Sequence, residues 1–252
     1  MRRYIVIMET NPFSGIKTYD SYRQLFELFL FAIALSVVLS AGAALFLNKL
    51  LGLGIKFEEI YILTQGLVAF VICLGVLKER GVDFQETWRD WNRNALNDIL
   101  TALKYYGVYL LIIAALISLA YLLGHMFTAP QEAVLKHLET QTARDTAVRG
   151  VMGVSRLRFL FLLLSICVVT PLGEELLYRR LIYATLRKRL GFFKALFASS
   201  VIFSAAHLSA SLAVFPVSLL FGYIYEKKRR LPVNIMLHGL INLFATTAHI
   251  FL

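Results

Sequence analysis

Seven apolar runs, each near the length of a membrane-spanning helix, limit what this chain can fold into. A helix needs about 20 apolar residues to cross the hydrocarbon core of a bilayer. The runs occupy residues 28–47, 60–77, 105–123, 158–178, 193–208, 210–225 and 233–251. The fifth and sixth runs are short and nearly adjoin at Leu208 and Ser209. The pattern predicts an all-α fold, a polytopic transmembrane bundle of about seven spans.

The composition agrees with a membrane protein and argues against a nucleic-acid-binding one. The chain is 58% apolar and 17% charged, whereas soluble domains are about 45–50% apolar and about 25% charged. The formal net charge of +10 could indicate nucleic-acid binding. In so apolar a chain, however, a basic balance is typical of cytoplasmic loops that face anionic lipid. We expect membrane lipid as a partner and no nucleic acid.

The chain is expected to form one domain. No repeat, low-complexity stretch or Ser/Gly/Pro linker divides residues 1–252. We therefore expect a single transmembrane domain, with a motif-bearing catalytic core at about 158–252. The charged and polar residues before the first apolar run predict that the N-terminus is not a cleavable signal peptide.

The placement of lysine and arginine residues predicts the orientation in the membrane. If the N-terminus lies in the cytoplasm, the cytoplasmic segments contain 19 of the 26 basic residues and the external segments contain seven. Cytoplasmic loops carry an excess of basic residues. The count favours a cytoplasmic N-terminus and an external C-terminus, which is opposite to the usual orientation of a seven-helix receptor.

Two segments between the runs predict helices on the membrane surface. Residues 132–138, within segment 124–157, have the pattern of an amphipathic helix. Segment 81–104 places Trp88 and Trp91 among charged residues, and tryptophan prefers the headgroup layer. We interpret the second segment as a cytoplasmic interfacial helix, and both as architecture rather than chemistry.

The first cluster of ionisable residues follows the fourth apolar run. Ionisable groups inside a span are costly and tend to face an internal cavity, so they are candidate functional residues. Glu175 and Arg179 are four residues apart with the acid first, the favourable order for a helical ion pair. Glu174 is turned about 100° away on the helix and has no neutralising partner in its own segment, which suits a general base or acid. The alternative is that both acids neutralise Arg179 and Arg180 at the cytoplasmic interface.

Two later clusters place histidine one helical turn from a partner. Phe203 and His207 share a helix face, so that the ring could wall the imidazole, although a histidine at a span end can also be a satisfied residue. His238 and Asn242 are also four residues apart, so their imidazole and carboxamide lie on one face of a helix. They are interpreted either as a catalytic pair or as a polar pair that hydrogen-bonds to another helix. Gly239 would let another helix approach closely.

A helical hairpin would bring the first two clusters together. With its turn between residues 190 and 191, Glu174 and His207 both lie about 25 Å from the turn. His238 is six residues after Pro232, about 9 Å from the start of its helix. For all three to meet, the hairpin must extend well into the cytoplasm or the fifth span must be broken near His207.

The ordered set Glu-Glu-x-x-x-Arg, Phe-x-x-x-His and His-x-x-x-Asn resembles the CPBP family. This family comprises CAAX-processing, Ras-converting type endopeptidases together with bacteriocin-processing and immunity proteins. The resemblance covers roughly residues 170–245, whereas residues 1–157 match only as generic membrane helices. The motif residues are Glu174, Glu175, Arg179, Phe203, His207, His238 and Asn242.

The resemblance implies an intramembrane endopeptidase. In this class Glu174, helped by His207, would activate a water, and His238 with Asn242 would stabilise the oxyanion. Peptide hydrolysis needs a base, oxyanion donors and a cavity that water can enter, and these side chains can supply them. We expect structural support from Glu175, Arg179 and Phe203.

A zinc site is the alternative to a metal-free mechanism. The family has also been described as metal-dependent, and Glu174, His207 and His238 would make a zinc triad. The sequence contains no HExxH motif, and the sequence neighbours of the two histidines include no carboxylate that could orient either ring. We therefore expect no metal cofactor, with zinc at this triad as the alternative.

Other functions receive less support. The sequence has no Gly-x-Ser-x-Gly motif and all five aspartates lie outside the runs, which disfavours serine and aspartyl intramembrane proteases. A non-proteolytic transporter or immunity-type binding protein that uses the same cavity is the alternative function. We expect a peptide or protein substrate that enters from the membrane or the cytoplasmic side. The short loops favour a bacterial inner membrane.

Overall fold

The computed structural model describes residues 11–126, 155–207 and 210–251, which form seven helices and no strand. The helices are α1 (Tyr22–Leu51), α2 (Phe57–Glu79), α3 (Phe84–Met126), α4 (Arg156–Arg189), α5 (Phe192–Ala205), α6 (Ser211–Lys228) and α7 (Leu231–Phe251). Each predicted run corresponds to one helix. The predicted all-helical polytopic bundle is therefore confirmed.

Four helices, α1 to α4, are long and apolar enough to cross a membrane. Together with their composition, they make this an integral membrane protein. Two apolar helices are shorter: α5, and the part of α7 at Leu231–Thr247. The 14 residues of α5 rise about 21 Å, less than the hydrocarbon thickness of about 30 Å. The fifth run therefore gives a helix that does not cross the full core alone.

The predicted interfacial helix at 81–104 is not a separate element. α3 continues without a break for 43 residues, about 65 Å, so the tryptophan-containing segment is the first half of the third span's own helix. Asp83 starts this helix by accepting hydrogen bonds from the backbone N–H groups of Gln85 and Glu86. The N–H groups of Glu86 and then Gln85 also hold the pKa of the Asp83 carboxyl below its usual value. The surface helix predicted within 124–157 falls mostly on residues 127–154, outside the described part of the chain.

Ion pairs connect the segments that were predicted to share the cytoplasmic side. At the end of the bundle that was predicted to lie outside, Arg158 on α4 binds both carboxylate oxygens of Glu59 on α2 at 2.9 Å. The segments predicted to share a side are thus neighbours in the structure, although the side that faces the cytoplasm stays a prediction. The ion pairs of the predicted cytoplasmic end join Lys188 to Asp20, Arg187 to Glu226 and Arg230 to Asp98.

α4 lies in backbone contact with two neighbouring helices. A Cβ atom added at Gly173 would overlap the carbonyl oxygen of Gly66 on α2, and one added at Gly66 would lie 2.9 Å from the Cα of Thr170. On the other side, a Cβ atom at Gly239 of α7 would overlap the carbonyl oxygen of Cys167. The close approach expected at Gly239 is confirmed. These contacts make α4 the central helix of the site.

Gly66→Ala should destabilise the protein, because its new methyl group would press against the α4 backbone. Overpacking of this kind typically costs about 1–3 kcal/mol. Gly75→Ala is a matched control on the same helix, since a Cβ atom there meets nothing within 4 Å. Thermal unfolding of the purified variants in detergent measures the difference. Equal stability of the two variants would contradict the α2–α4 backbone contact.

Candidate active site

Glu174, His207, His238 and Asn242 line one cavity of about 1140 Å³. The convergence of these four side chains was expected from the three motifs, and the structure shows it. Most of the other lining side chains are apolar, and they include Phe29 of α1. The cavity thus combines a few polar groups with an apolar wall.

A break after α5 brings His207 to this cavity. α5 ends at Ala205, and His207 lies in the turn that follows. Of the two geometries that the sequence left open, the break near His207 is formed. The Nδ1–H of His207 donates to the carbonyl oxygen of Phe203 at 2.8 Å, which leaves Nε2 as an acceptor in the neutral ring. The Phe203 ring lies 4.6 Å from the imidazole, as its position on the same face predicted.

Glu174 is held by a residue that the sequence did not indicate. Glu174 is 7% exposed, and its Oε1 accepts a hydrogen bond from Nε2 of Gln65 at 3.0 Å. Its Oε2 lies 3.7 Å from Nε2 of His238 and has no hydrogen-bond partner among the described residues. Gln65 belongs to α2, 109 positions away. No local spacing could have pointed to it.

Glu175 is fully buried and has three partners. Its Oε2 faces Nε of Arg179 at 3.3 Å, so the predicted ion pair is confirmed. The same oxygen accepts from Nδ2 of Asn234, and Oε1 accepts from Nδ1 of His238 at 2.9 Å. The sequence neighbours of His238 supply no carboxylate, but Glu175 on α4 orients its ring.

Two aromatic rings enclose the guanidinium group of Arg179. Its Cζ atom lies 4.3 Å from the centre of the Phe203 ring and 5.0 Å from that of Phe221, which is a favourable cation–π arrangement. The same rings contact the two histidines, since Phe221 lies 5.0 Å from the His238 ring. Phe203 and Phe221 thus contact both the buried guanidinium group and the two imidazoles.

Asn242 also hydrogen-bonds to the backbone of α4, a contact that the sequence did not predict. Its Nδ2 donates to the carbonyl oxygen of Ile166 at 2.8 Å. Ile166 lies in Ser165–Val169, one of two π-helical segments of α4, and π-helical turns are frequent at functional sites. A carboxamide nitrogen carries two hydrogens. One therefore remains for the cavity that Asn242 lines.

The expectation of no metal cofactor, with zinc as the alternative, stays a prediction. Within residues 11–126, 155–207 and 210–251, no group of three or more His, Cys, Asp or Glu side chains is arranged to hold a metal ion. Oε2 of Glu174 and Nε2 of His238 lie 3.7 Å apart, close to the roughly 3.4 Å between two tetrahedral ligands that each lie about 2.0–2.2 Å from zinc. Zinc at Glu174, His207 and His238 therefore stays the alternative to a metal-free site.

An acid, two imidazoles and a carboxamide thus line one cavity in a bundle of membrane helices. Residues 156–244 match a family described as type II CAAX prenyl endopeptidase Rce1-like. The resemblance drawn from the motifs is confirmed over this region. The match spans all seven motif residues.

Part of the chain is also similar to one curated bacterial protein. It is 33% identical over 79 residues to a Bacillus subtilis (strain 168) protein named "Putative membrane peptidase YdiL". The similarity covers 31% of this chain and 32% of that protein, so the chain aligns with about a third of its relative's length. No solved structure matches. At the level of the family, both comparisons support a membrane peptidase.

Replacing Glu175 by glutamine should strongly destabilise the protein. The change leaves Arg179 as an uncompensated buried charge, which costs about 3–5 kcal/mol of unfolding free energy. Glu59→Gln is the control, because its partner Arg158 is 27% exposed and a partly exposed pair contributes about 1 kcal/mol or less. Thermal unfolding in detergent compares them. Full stability of Glu175→Gln together with lost turnover would show that the two acids have the opposite roles.

Proposed function

We propose that this protein is an intramembrane endopeptidase that hydrolyses a peptide bond with a water activated by Glu174. The observation that carries the proposal is the meeting of Glu174, His207, His238 and Asn242 at one cavity. These side chains supply a base, a second acceptor and two donors, which is the set that peptide hydrolysis needs. The Rce1-like region and the similarity to a membrane peptidase support the class.

In the proposed first step, Glu174 and His207 hold the attacking water. The unpartnered Oε2 of Glu174 accepts one proton of the water, and Nε2 of His207 accepts a hydrogen bond from the other, because Nδ1–H of this ring is already donated to Phe203. The water oxygen attacks the carbonyl carbon as Glu174 takes the proton. The carbonyl oxygen becomes negatively charged.

His238 and Asn242 stabilise this oxyanion in the second step. In its doubly protonated form, His238 donates Nδ1–H to Glu175 and Nε2–H to the oxyanion, while the second amide hydrogen of Asn242 provides another donor. The protonated Glu174 then transfers its proton to the amide nitrogen, and the carbon–nitrogen bond breaks. The products are a new carboxyl terminus and a new amine.

The proposed substrate is a membrane-associated protein or peptide that reaches the cavity from the membrane or the cytoplasmic side. The apolar wall, which includes Phe29 and Val217, suits an apolar segment better than a polar one. Membrane lipid is the other partner that we propose, and nucleic acid is not one. The short connections and the bacterial relative support the inner membrane of a bacterium.

Glu174→Gln should abolish cleavage while the protein is still produced at a normal level. The substitution removes the base but keeps the shape and hydrogen bonding, and loss of a general base lowers turnover by about 10²–10⁴-fold. Glu27→Gln is the control, because Glu27 is an exposed residue of α1 paired with Arg23.

Mass spectrometry of membrane-protein termini from cells that produce each variant measures this difference. New termini should appear with the unchanged protein and with Glu27→Gln, and should be absent with Glu174→Gln. Termini that persist with Glu174→Gln would contradict the proposal and favour a binding protein or transporter.

Cleavage should also persist in the presence of a membrane-permeant chelator. The proposed roles leave none of the four polar side chains committed to a cation. The measurement is the rate of substrate cleavage by purified protein before and after chelation. Activity that disappears on chelation and returns with stoichiometric zinc would overturn the metal-free mechanism.

A further inference from the structure

Gln65 on α2 is the one described residue outside the Rce1-like region that hydrogen-bonds to the side chain of Glu174. Its Nε2 donates to Oε1 of Glu174 at 3.0 Å, and Gln65 lines the same cavity. No motif of the sequence includes this residue. The inference that follows rests on the proposed role of Glu174 as the base.

The backbone contact between α2 and α4 sets the position of Gln65. Gly66, the next residue, touches Gly173, which directly precedes Glu174. One turn earlier on both helices, the hydroxyl of Thr170 donates to the carbonyl oxygen of Ile62 at 3.0 Å. These two contacts fix the rotation and the register of α2 against α4. The amide of Gln65 is therefore delivered to Glu174 by the packing of the backbones.

We propose that Gln65 is a positioning residue that assigns different tasks to the two oxygens of Glu174. By donating to Oε1, the amide holds the carboxylate in one rotamer and leaves Oε2 directed toward His238. A general base must be held in reach of the proton that it accepts, and small misplacements reduce the rate strongly.

The amide of Gln65 is uncharged, and this affects how Glu174 can act as a base. The neutral amide of Gln65 donates one hydrogen bond to Oε1 and brings no charge of its own, so that Oε2 keeps its lone pairs for the water. Glu175 shows the contrast, because Arg179 and His238 occupy both of its oxygens. The two neighbouring acids thus receive different kinds of partner, one for structure and one for chemistry.

Gln65→Met tests this assignment, because methionine has nearly the shape of glutamine but no donor. We expect kcat to fall by about 10- to 100-fold, with KM within about twofold of its original value. Gln65→His should keep a higher kcat than Gln65→Met, since the Nε2–H of histidine reaches about as far from the backbone as the amide N–H of glutamine. A change confined to KM, or no change in kcat, would overturn the proposal.

Thr64→Val is the matched control at the neighbouring position. The Thr64 hydroxyl bonds to the carbonyl oxygen of Ile60 in its own helix, so its loss should leave kcat unchanged. A fall in kcat of the same size in Thr64→Val would show that Gln65→Met acts by disturbing α2 rather than by releasing Glu174.

An infrared measurement separates this inference from the proposed function. The band of the Glu174 carboxyl group is assigned by its disappearance in Glu174→Gln, and it should shift in Gln65→Met but not in Thr64→Val. The shift requires no substrate, so it reports on the contact even if Glu174→Gln retains cleavage and the proposed function fails. An unshifted band in Gln65→Met would overturn the role of Gln65 whatever the activity.

Discussion

A carboxylate without exposed surface must find its partners inside the protein, and Glu175 finds them on two helices. Arg179 lies one turn further along α4, while Asn234 and His238 lie one turn apart on α7. Loss of any of these would leave a buried charge or polar group poorly compensated. Glu175 therefore joins α4 to α7 and fixes the His238 ring, whose Nε2 then faces Glu174.

The polar side chains of the site meet because the helices that carry them come close together. Gly173 against Gly66 brings α2 to one side of α4, and Gly239 against Cys167 brings α7 to the other. Because glycine has no side chain, the polar residues beside these contacts reach each other across the α2–α4 and α4–α7 interfaces. The same glycines that permit helix packing in a bilayer thus also determine which residues surround Glu174.

The contacts between residues four positions apart could be predicted from the sequence. The ion pair of Glu175 with Arg179 and the contact of Phe203 with His207 both follow from a spacing of four residues. The contacts between helices, such as Gln65 with Glu174, could not, because no periodicity relates positions 109 apart. The continuity of α3 was also missed, since tryptophan among charged residues is typical of a separate surface helix but is equally compatible with the first turns of a long one.

The imidazole of His238 lies between two acids with different tasks, Glu174 and Glu175. A structure of the protein determined in a lipid nanodisc, at a resolution that shows side chains, tests this arrangement directly. The account predicts Nδ1 of His238 in hydrogen-bond contact with Glu175 and Nε2 about 3.7 Å from Glu174. A separation of more than about 12 Å between Glu174 and His238 would contradict the account, because water activation requires hydrogen-bond reach.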